Sequence, residues 1–590
     1  MKAFFFIFAF ILCFQSITVD AFQSKEQRPN VILIITDDQG YGDFGFTGNP
    51  HVQTPQLDQL AKGSIRLNNF YVSPVCAPTR SSLMTGRYSL RTGVRDTYNG
   101  GATMATEEIT LAEMLKDAGY ATGVFGKWHL GDNYPFRPGD QGFDESLIHL
   151  SGGMGQPGDF TTYFKMDRSY FDPTLWYNGK QKSFLGYCSD IFTDEAIHFV
   201  EKQSKDQPFF LYLSFNAPHT PLQVPEAYYE KYKDINPSSG FEKQNMPFPK
   251  MSEKDKEDAR KVYAMVSNID DNIGKLMHKL EELDIADNTI FVFMTDNGPQ
   301  QSRYVGGLRG KKGSVYSGGV RVPFLIKYPK VLAPNQEVNT TLAHIDVMPT
   351  LAELCQANLP KDRVIDGQSF AGILKGEGNF ETAFEKRPLF FYWTRKLPEL
   401  YNNVAIQQGP YKLVGHTGFD AKPKDFELFH LENDPYELEN LVEQDQEKAE
   451  ELKESMDQLV EELTASPNLK KEQQPIIGTS HENPLVLNRN DASGQRGIWT
   501  QEEVYGYWNV QILEGMYNIR YKFIKPLEKP GKVMLETNTQ IVQSNIRDMP
   551  TDFIEFKNVS LKAYQGSVTP HFMSGGKSIF PLWVEFERID

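Results

Sequence analysis

The run Asn30-Val31-Ile32-Leu33-Ile34-Ile35-Thr36, followed at once by Asp37-Asp38-Gln39-Gly40, decides the fold class of this chain. Its apolar side chains are consecutive and leave no polar face. Such a segment suits a strand covered on both sides, as in a parallel sheet, better than a half-exposed strand of alternating residues. The same form recurs at Thr289-Ile290-Phe291-Val292-Phe293-Met294, followed by Thr295-Asp296-Asn297-Gly298, and at residues 208–215, followed by Asn216-Ala217-Pro218-His219. Helical patterns lie between these runs. Thr110-Leu111-Ala112-Glu113 has the form of a capping box, with Leu111, Met114, Leu115 and Ala118 on one face and Gly119 as the stop. Over residues 252–283, Val262, Val266, Ile269, Ile273, Leu276 and Leu280 keep helical spacing. The alternation predicts an α/β fold with a mostly parallel sheet sandwiched by helices.

That architecture also predicts where the chemistry sits, because ligands of open α/β sheets bind beyond the carboxyl ends of the strands. Asp37-Asp38, Lys127-Trp128-His129, His219 and Asp296-Asn297 each follow a strand-like run. Four separate segments are therefore expected to bring polar side chains to one edge.

Outward from this core the pattern changes. Residues 389–393, 404–407, 411–414 and 427–431 read as short antiparallel strands and residues 447–463 as a charged amphipathic helix, giving a smaller α+β subdomain over 386–465. Residues 466–480 are polar and carry Pro467 and Pro475, so they read as a linker. Beyond it, Tyr517, Ile519, Tyr521 and Phe523 alternate with Asn518, Arg520 and Lys522, and further strands are expected near 508–512, 533–536, 560–564 and 579–586. Residues 481–590 thus read as an added all-β, sandwich-like module. Its aromatic residues Trp499, Tyr507, Trp508 and Trp583 suit either a flat face for sugar rings or the core of the sandwich, and the alternation favours the core. At the other end, Lys2, the apolar residues 3–14 and Val19-Asp20-Ala21 have the form of a signal peptide over 1–21. This predicts export to the periplasm or beyond, a catalytic unit over 22–385, and loss of Cys13. The apolar stretch is shorter than the roughly 20 residues a bilayer span takes, and no later segment reads as one.

Composition narrows the classes further. Of 590 residues, 40% are hydrophobic and 23% charged, enough to build a large core and to set aside disordered or fibrous classes. The net charge of -16 argues against a nucleic-acid partner, though a local field can still receive a small anion. Four cysteines in such a length make no disulfide framework.

The stretch Cys76-Ala77-Pro78-Thr79-Arg80-Ser81-Ser82-Leu83-Met84-Thr85-Gly86-Arg87 carries the most chemical information. On residue types alone it is a cysteine at a Pro-bounded turn leading into a helix, with two arginines following. A helix N-terminus and guanidinium groups would lower a thiol pKa and bind an anion. A buried structural cysteine fits the lone residue equally well. In the same way Asp37-Asp38 alone could be a solvated turn, and Asp296-Asn297-Gly298 a β-turn.

The longer pattern resembles the signature of the formylglycine-dependent sulfatases, in the alkaline-phosphatase-like superfamily. That signature is a Cys or Ser, any residue, Pro, Ser or Thr, then Arg, closing on Thr/Ser-Gly-Arg. Gly119-Tyr120-Ala121-Thr122-Gly123-Val124-Phe125-Gly126-Lys127-Trp128-His129-Leu130-Gly131 resembles a second motif of the family. Asp37-Asp38-Gln39-Gly40 and Asp296-Asn297-Gly298 resemble its metal segments, and Lys312-Gly313-Ser314-Val315-Tyr316 its late lysine segment. The resemblance covers residues 28–465, with the motifs in family order. One departure is Ser317 before Gly318-Gly319, where many relatives carry Glu, which leaves the local hydrogen bonding there open.

The resemblance implies a sulfuric ester hydrolase in which Cys76 is oxidised to formylglycine by a maturation enzyme. It implies Asp37, Asp38, Asp296, Asn297 and the modified Cys76 around Ca²⁺, with Mg²⁺ as second choice, since these hard oxygen ligands suit either ion. One hydroxyl of the formylglycine hydrate would attack sulfur to give a sulfoenzyme intermediate, and the other would then expel sulfate. By the same resemblance Arg80 would stabilise the alkoxide, His129 would take a proton, Lys127 and Lys312 would bind sulfate oxygens, and His219 would protonate the leaving alcohol. An exported enzyme with an added β module resembles those of polysaccharide-degrading bacteria, so a sulfated carbohydrate is the expected substrate, an algal glycan such as ulvan first and a glycosaminoglycan second. His149, Arg168, Trp176, Arg303 and Arg309 are candidate contacts beyond the sulfate. Two rival readings are a phosphatase or phosphodiesterase of the same superfamily and a catalytically dead carbohydrate-binding protein. The first would call for a Thr or Ser nucleophile and zinc-type Asp/His clusters, and the second for vacated catalytic positions.

Overall fold

A computed structural model describes residues 27–203, 207–241, 246–378 and 381–590; the expected signal peptide, with Cys13, lies outside them. Strand β1 (Asn30–Thr36) lies inside an eleven-stranded sheet. In chain order the others are β2 (Ile65–Tyr71), β3 (Ala121–Lys127), β4 (Glu145–His149), β5 (Thr174–Tyr177), β6 (Lys180–Ser183), β7 (Phe209–Ser214), β8 (Thr289–Thr295), β9 (Arg321–Lys327), β10 (Gln336–Val338) and β11 (Leu342–Ala343). The spatial order is β10-β2-β9-β8-β1-β7-β3-β4-β5-β6, with β11 beside β2. Strands β8, β1, β7, β3 and β4 run parallel, flanked by antiparallel β9 and β5.

The unbroken apolar run of β1 has the expected cause. Val31, Leu33 and Ile35 point into one core with the helices Cys76–Thr85, Leu111–Asp117 and Val347–Leu354. Ile32 and Ile34 point into a second core on the other face, with Pro55–Lys62, Cys188–Lys202 and Glu253–Glu282. Each such side chain, fully buried, contributes about 1.5–3 kcal/mol, so a polar residue anywhere in the run would be costly on either side. Two of the helices begin in capping boxes, Thr110 with Glu113 and Ser252 with Asp255.

A separate four-stranded antiparallel sheet comprises Leu389–Tyr392, Asn402–Gln408, Tyr411–His416 and Glu427–His430 in sequential order. Helix Gln446–Thr464 shares a core with it through Leu452 and Met456. The tail forms two further sheets around one core into which Tyr517, Ile519, Tyr521 and Phe523 all point. Trp508 belongs to that core: it stacks on Phe580 with ring centroids 4.9 Å apart, and its indole N–H donates to Asn488 O at 2.7 Å.

Two expectations change here. The strand expected over residues 560–564 is instead the end of strand Thr551–Leu561, a turn at 562–563 and the start of strand Tyr564–Ser574, each of which mixes polar residues into its outward face and so blurs the alternation. The polar stretch 466–480 is not a free tether. Ser466 Oγ and Asn468 Nδ2 donate to Arg91 O at 3.1 and 3.0 Å, and Ile476–Ile477 pairs in parallel with Gln511 and Ile512. Its hydrogen-bonding side chains satisfy the backbone of its neighbours, which composition alone reads as solvation. No helix among the described residues is long and apolar enough to cross a membrane.

Candidate active site

Register brings the acidic residues together. Thr36 on β1 lies opposite Thr295 on β8, and Ile35 lies opposite Ser214 on β7. The chain therefore leaves all three strands at one level, delivering Asp37-Asp38, Asp296-Asn297 and the loop to His219 side by side. Asp38 N donates to Asp296 Oδ1 at 3.1 Å, and Asn297 Nδ2 donates to Asp38 Oδ1 at 2.8 Å. Asp38 and His129 both hold left-handed backbone, with φ of 60° and 61°, a conformation non-glycine residues keep only where the surroundings enforce it.

Cys76 is the first residue of a helix whose every residue is buried, and is itself 2% exposed. Oxygens of Asp37 and Asp296 and the Cys76 sulfur lie within 4.8 Å of one another, as do ligand atoms of Asp37, Asp38 and His219. Asp37 Oδ1 and Asn297 Oδ1 are buried and receive no hydrogen bond. Buried oxygens are rarely left so, and two of them facing a carboxylate cluster fit a hard divalent cation. The residues present therefore suit the metal the sequence implied.

Three cations answer the three carboxylates. Lys127 Nζ lies 2.5 Å from Asp37, Lys312 Nζ 2.7 Å from Asp38, and Arg80 Nη2 2.9 Å from Asp296. Arg80 also donates to Lys127 O at 3.2 Å and to Ser214 Oγ. Burial raises the Asp38 carboxyl, but the charge of Lys312 and hydrogen bonds from Lys312 and Asn297 outweigh it and hold Asp38 below the usual carboxylate range. Asp296 is pushed up to about 7 by burial and by Asp37, against the pull of Arg80. The Cys76 thiol is raised by burial, contrary to the lowering expected from a helix terminus beside arginines. The reason is visible: Arg80 is engaged by Asp296, and Arg87 pairs with Glu108 at 3.1 Å.

Both histidines are neutral. His129 is held well below its usual value by burial and by Lys127. Its Nε2 faces Thr97 O at 2.7 Å, so that nitrogen carries the hydrogen and the buried Nδ1, which has no partner, presents a lone pair. A Cβ at Gly152 would stand 2.7 Å from the His129 ring, so only glycine fits against it. His219 is brought down to about 3 by burial and Lys312; its Nδ1 faces Thr220 O at 2.7 Å and its Nε2 lies 3.7 Å from Asp38.

A cleft of about 540 Å³ opens over this cluster, lined by Cys76, His129, His219 and Lys312 and, further along, by Tyr98, Trp393, Arg395, Arg496 and Trp499. None of the five contacts suggested by sequence lines it. Arg303 is buried in an ion pair with Asp43 at 2.6 Å and donates to Asp38 O at 2.8 Å, so it braces the acidic turn from behind. His149 is buried with Nδ1 against Leu150 O, Arg168 and Arg309 pair with Asp172 and Glu427, and Trp176 lines a different cleft. The residues that do line the outer cleft come from loops, Arg395 with φ of 62° among them, and from the tail; only the aromatic character of Trp499 gave a sign of it. At the departure from the family pattern, Ser317 N donates to Glu437 Oε2 at 2.8 Å, and Glu437 pairs with buried Lys412 at 2.8 Å. A carboxylate from the smaller sheet's side of the molecule thus meets the Ser317 backbone.

The family model described as Sulfatase matches residues 29–357, and that of the N-sulphoglucosamine sulphohydrolase C-terminal region matches residues 310–466. Human arylsulfatase A is 32% identical over 417 residues, covering 65% of this chain and 74% of that protein. Human N-acetylgalactosamine-6-sulfatase is 31% identical over 395 residues, covering 62% and 68%. The crystal structure of Ps i-CgsB in complex with k-i-k-neocarrahexaose superposes with a TM-score of 0.62 at 30% identity, over 77% of this chain and 95% of that one. The two family models end at residues 357 and 466, short of the β-sheet tail.

Proposed function

The chain belongs to the sulfatase family and is a sulfuric ester hydrolase, and on that premise we propose that it cleaves sulfate esters of a sulfated glycan through an oxidised Cys76 and a bound Ca²⁺. The observation that carries this reading is the meeting of Cys76 with Asp37 and Asp296 within 4.8 Å, beside two buried oxygens that lack donors. Sulfatases generally use a formylglycine and a divalent metal. Asp37, Asp38, Asp296 and Asn297 would hold the cation, which would supply positive charge against the sulfate oxygens. Formylglycine at position 76, made by a maturation enzyme and hydrated to a gem-diol, would supply one hydroxyl to attack sulfur as the S–O bond to the alcohol breaks, and a second whose deprotonation expels sulfate and restores the aldehyde.

The chain's own residues do the rest. Arg80, fixed by Asp296 and Ser214, keeps a permanent positive charge behind position 76. Lys127 and Lys312 stand on Asp37 and Asp38, from which they reach an arriving oxyanion with little reorganisation. His129 receives a proton at Nδ1, the nitrogen left free by Thr97. His219 is oriented by Thr220 O with Nε2 on the cleft side, and an oxyanion beside it raises its affinity for the proton it passes to the departing alcohol.

A glycan substrate is supported by the N-acetylgalactosamine-6-sulfatase among the relatives and by the neocarrahexaose complex of Ps i-CgsB. An algal glycan, ulvan or a neocarrageenan-type chain, is the first choice and a glycosaminoglycan the second. Residues 1–21 direct export, consistent with a polymer met outside the cell. The test is sulfate release from an aryl sulfate and from a panel of sulfated oligosaccharides by protein co-expressed with a maturation enzyme. Turnover of aryl phosphate with none of aryl sulfate would overturn the reading.

A further inference from the structure

The outer wall of the cleft differs in character from its inner end. Arg395 and Arg496 both line it, and among the described residues neither has a carboxylate at ion-pair distance or a hydrogen-bond acceptor. The other arginines close to the cluster are occupied: Arg80 by Asp296, Arg303 by Asp43 and Arg87 by Glu108. Two guanidinium groups without an ion pair in one cleft, Arg395 within electrostatic range of Asp96, are unexpected in a chain of net charge -16. Both are exposed, and surface arginines often lack partners, but Arg395 is set between aromatic rings that orient it, and Arg496 lines the same cleft.

The Arg395 guanidinium lies 4.5 Å from the Trp393 ring and 5.4 Å from the Tyr98 ring, held by cation–π attraction on left-handed backbone of φ 62°. Trp393 is itself fixed, its indole N–H donating to Asp96 Oδ1 at 3.0 Å, and the same oxygen accepts from Thr97 N at 2.8 Å. Asp96 is thereby engaged with the ring and the backbone and forms no ion pair with Arg395. On the other side Trp499 meets Tyr98 edge to face at 5.4 Å. Arg496 and Trp499 share one short 3-10 turn of the tail, beyond the reach of both family models. Aromatic faces suit the apolar faces of a sugar, and planar guanidinium groups suit a bidentate oxyanion.

We propose that this wall is a second anion site, in which Arg395 and Arg496 hold an oxyanion carried by the sulfated sugar or its neighbour, distinct from the sulfate being cleaved. The inference rests on the sulfatase reading and narrows it: the substrate is at least dianionic, bearing a carboxylate or a second sulfate. It also assigns the tail a share of substrate selection, since Arg496 and Trp499 come from it.

The test uses the full, matured chain and four substrates: an aryl sulfate, a disaccharide bearing one sulfate, and that disaccharide with either an added sulfate or an added carboxylate. Wild type is expected to prefer one dianionic disaccharide over its parent by about tenfold or more in kcat/KM, the better of the two naming the anion. Arg395→Ala and Arg496→Ala should each lose at least about tenfold more on that substrate than on the aryl sulfate, and Arg→Lys should recover only part, keeping the charge without the fork. Absence of any preference, or equal losses on all substrates, overturns the second site. Binding gives an arm independent of turnover: Cys76→Ala should bind the dianionic disaccharide more tightly than its parent, and adding Arg395→Ala should remove the difference. A wild type that hydrolyses no sulfate yet shows that binding difference would refute the hydrolase reading alone, and equal binding would refute this one.

Discussion

Trp499, carried by the tail, meets Tyr98 of the catalytic half edge to face, with ring centroids 5.4 Å apart and planes at 71°. The contact is one of several that join the tail to the large sheet. Asn488 Nδ2 donates to Asp132 at 2.7 Å, Asn133 Nδ2 donates to Val486 O at 3.0 Å, and His481 stacks on Tyr134 at 4.5 Å. A polar stretch before a β module suggests a separable appendage, but these contacts bury groups that need their partners. Chains ending near residue 470 should therefore lose thermal stability, each uncovered charged partner costing about 1.5–3 kcal/mol. Calorimetry should show one transition for the full chain. Two separate transitions, with the catalytic one unmoved by truncation, would mean that the tail is independent.

Asn297→Ala removes one donorless oxygen and the bond to Asp38 while leaving Arg80 paired. It should lower bound Ca²⁺ and turnover together, by about 100-fold or more, with an unchanged far-UV spectrum. Asp296→Ala should lose both as well, and also unfold more easily by about 3–5 kcal/mol, because it strands buried Arg80. Metal analysis that finds either variant fully loaded would take that residue out of the cation site. Chelation of wild type should lower its Tm, and Ca²⁺ at about 100 times its Kd should restore about 2.7 kcal/mol.

The central sheet was legible because both its faces are dry: the run at residues 31–35 can belong to little else. The inner site was legible too, since Asp37, His129, His219 and Asp296 each follow their strands closely and strand register does the rest. The outer cleft was not. Tyr98, Arg395 and Arg496 are far apart in sequence and sit on segments of no periodic pattern; Tyr98 meets Arg395 across the catalytic half, and Arg496 joins that cleft only because the tail folds back. Arg303 misled for a related reason: a charged residue near a motif looks exposed until Asp43, 260 positions away, is found against it.

Cys76→Ala should abolish sulfate release while costing only about 1 kcal/mol of stability, since it deletes a single buried sulfur. The thiol is buried, so the cost is small without being nil. Urea unfolding monitored beside activity separates the two effects. Residual turnover in this variant would remove Cys76 from the chemistry.

Asp159 offers a stability prediction with a sign. Its side chain is fully buried and accepts from Thr161 Oγ1 at 3.1 Å and from Thr162, and burial pushes its carboxyl from 3.8 to about 7. The folded value lies above the unfolded one. The native state therefore binds the extra proton between pH 3.8 and about 7, and this group's contribution falls as pH rises through that window. Asp159→Asn should become progressively more stable relative to wild type over the same range, by a few kcal/mol at most. Parallel stability curves for the two proteins would contradict the buried, protonated carboxyl.

The central claim is that position 76 performs the hydrolysis only once oxidised. The direct measurement is aryl sulfate turnover against the fraction of formylglycine at Cys76, read by mass spectrometry across preparations made with increasing amounts of maturation enzyme. A straight line through the origin is the predicted result. Full turnover in protein whose Cys76 remains a thiol would contradict it.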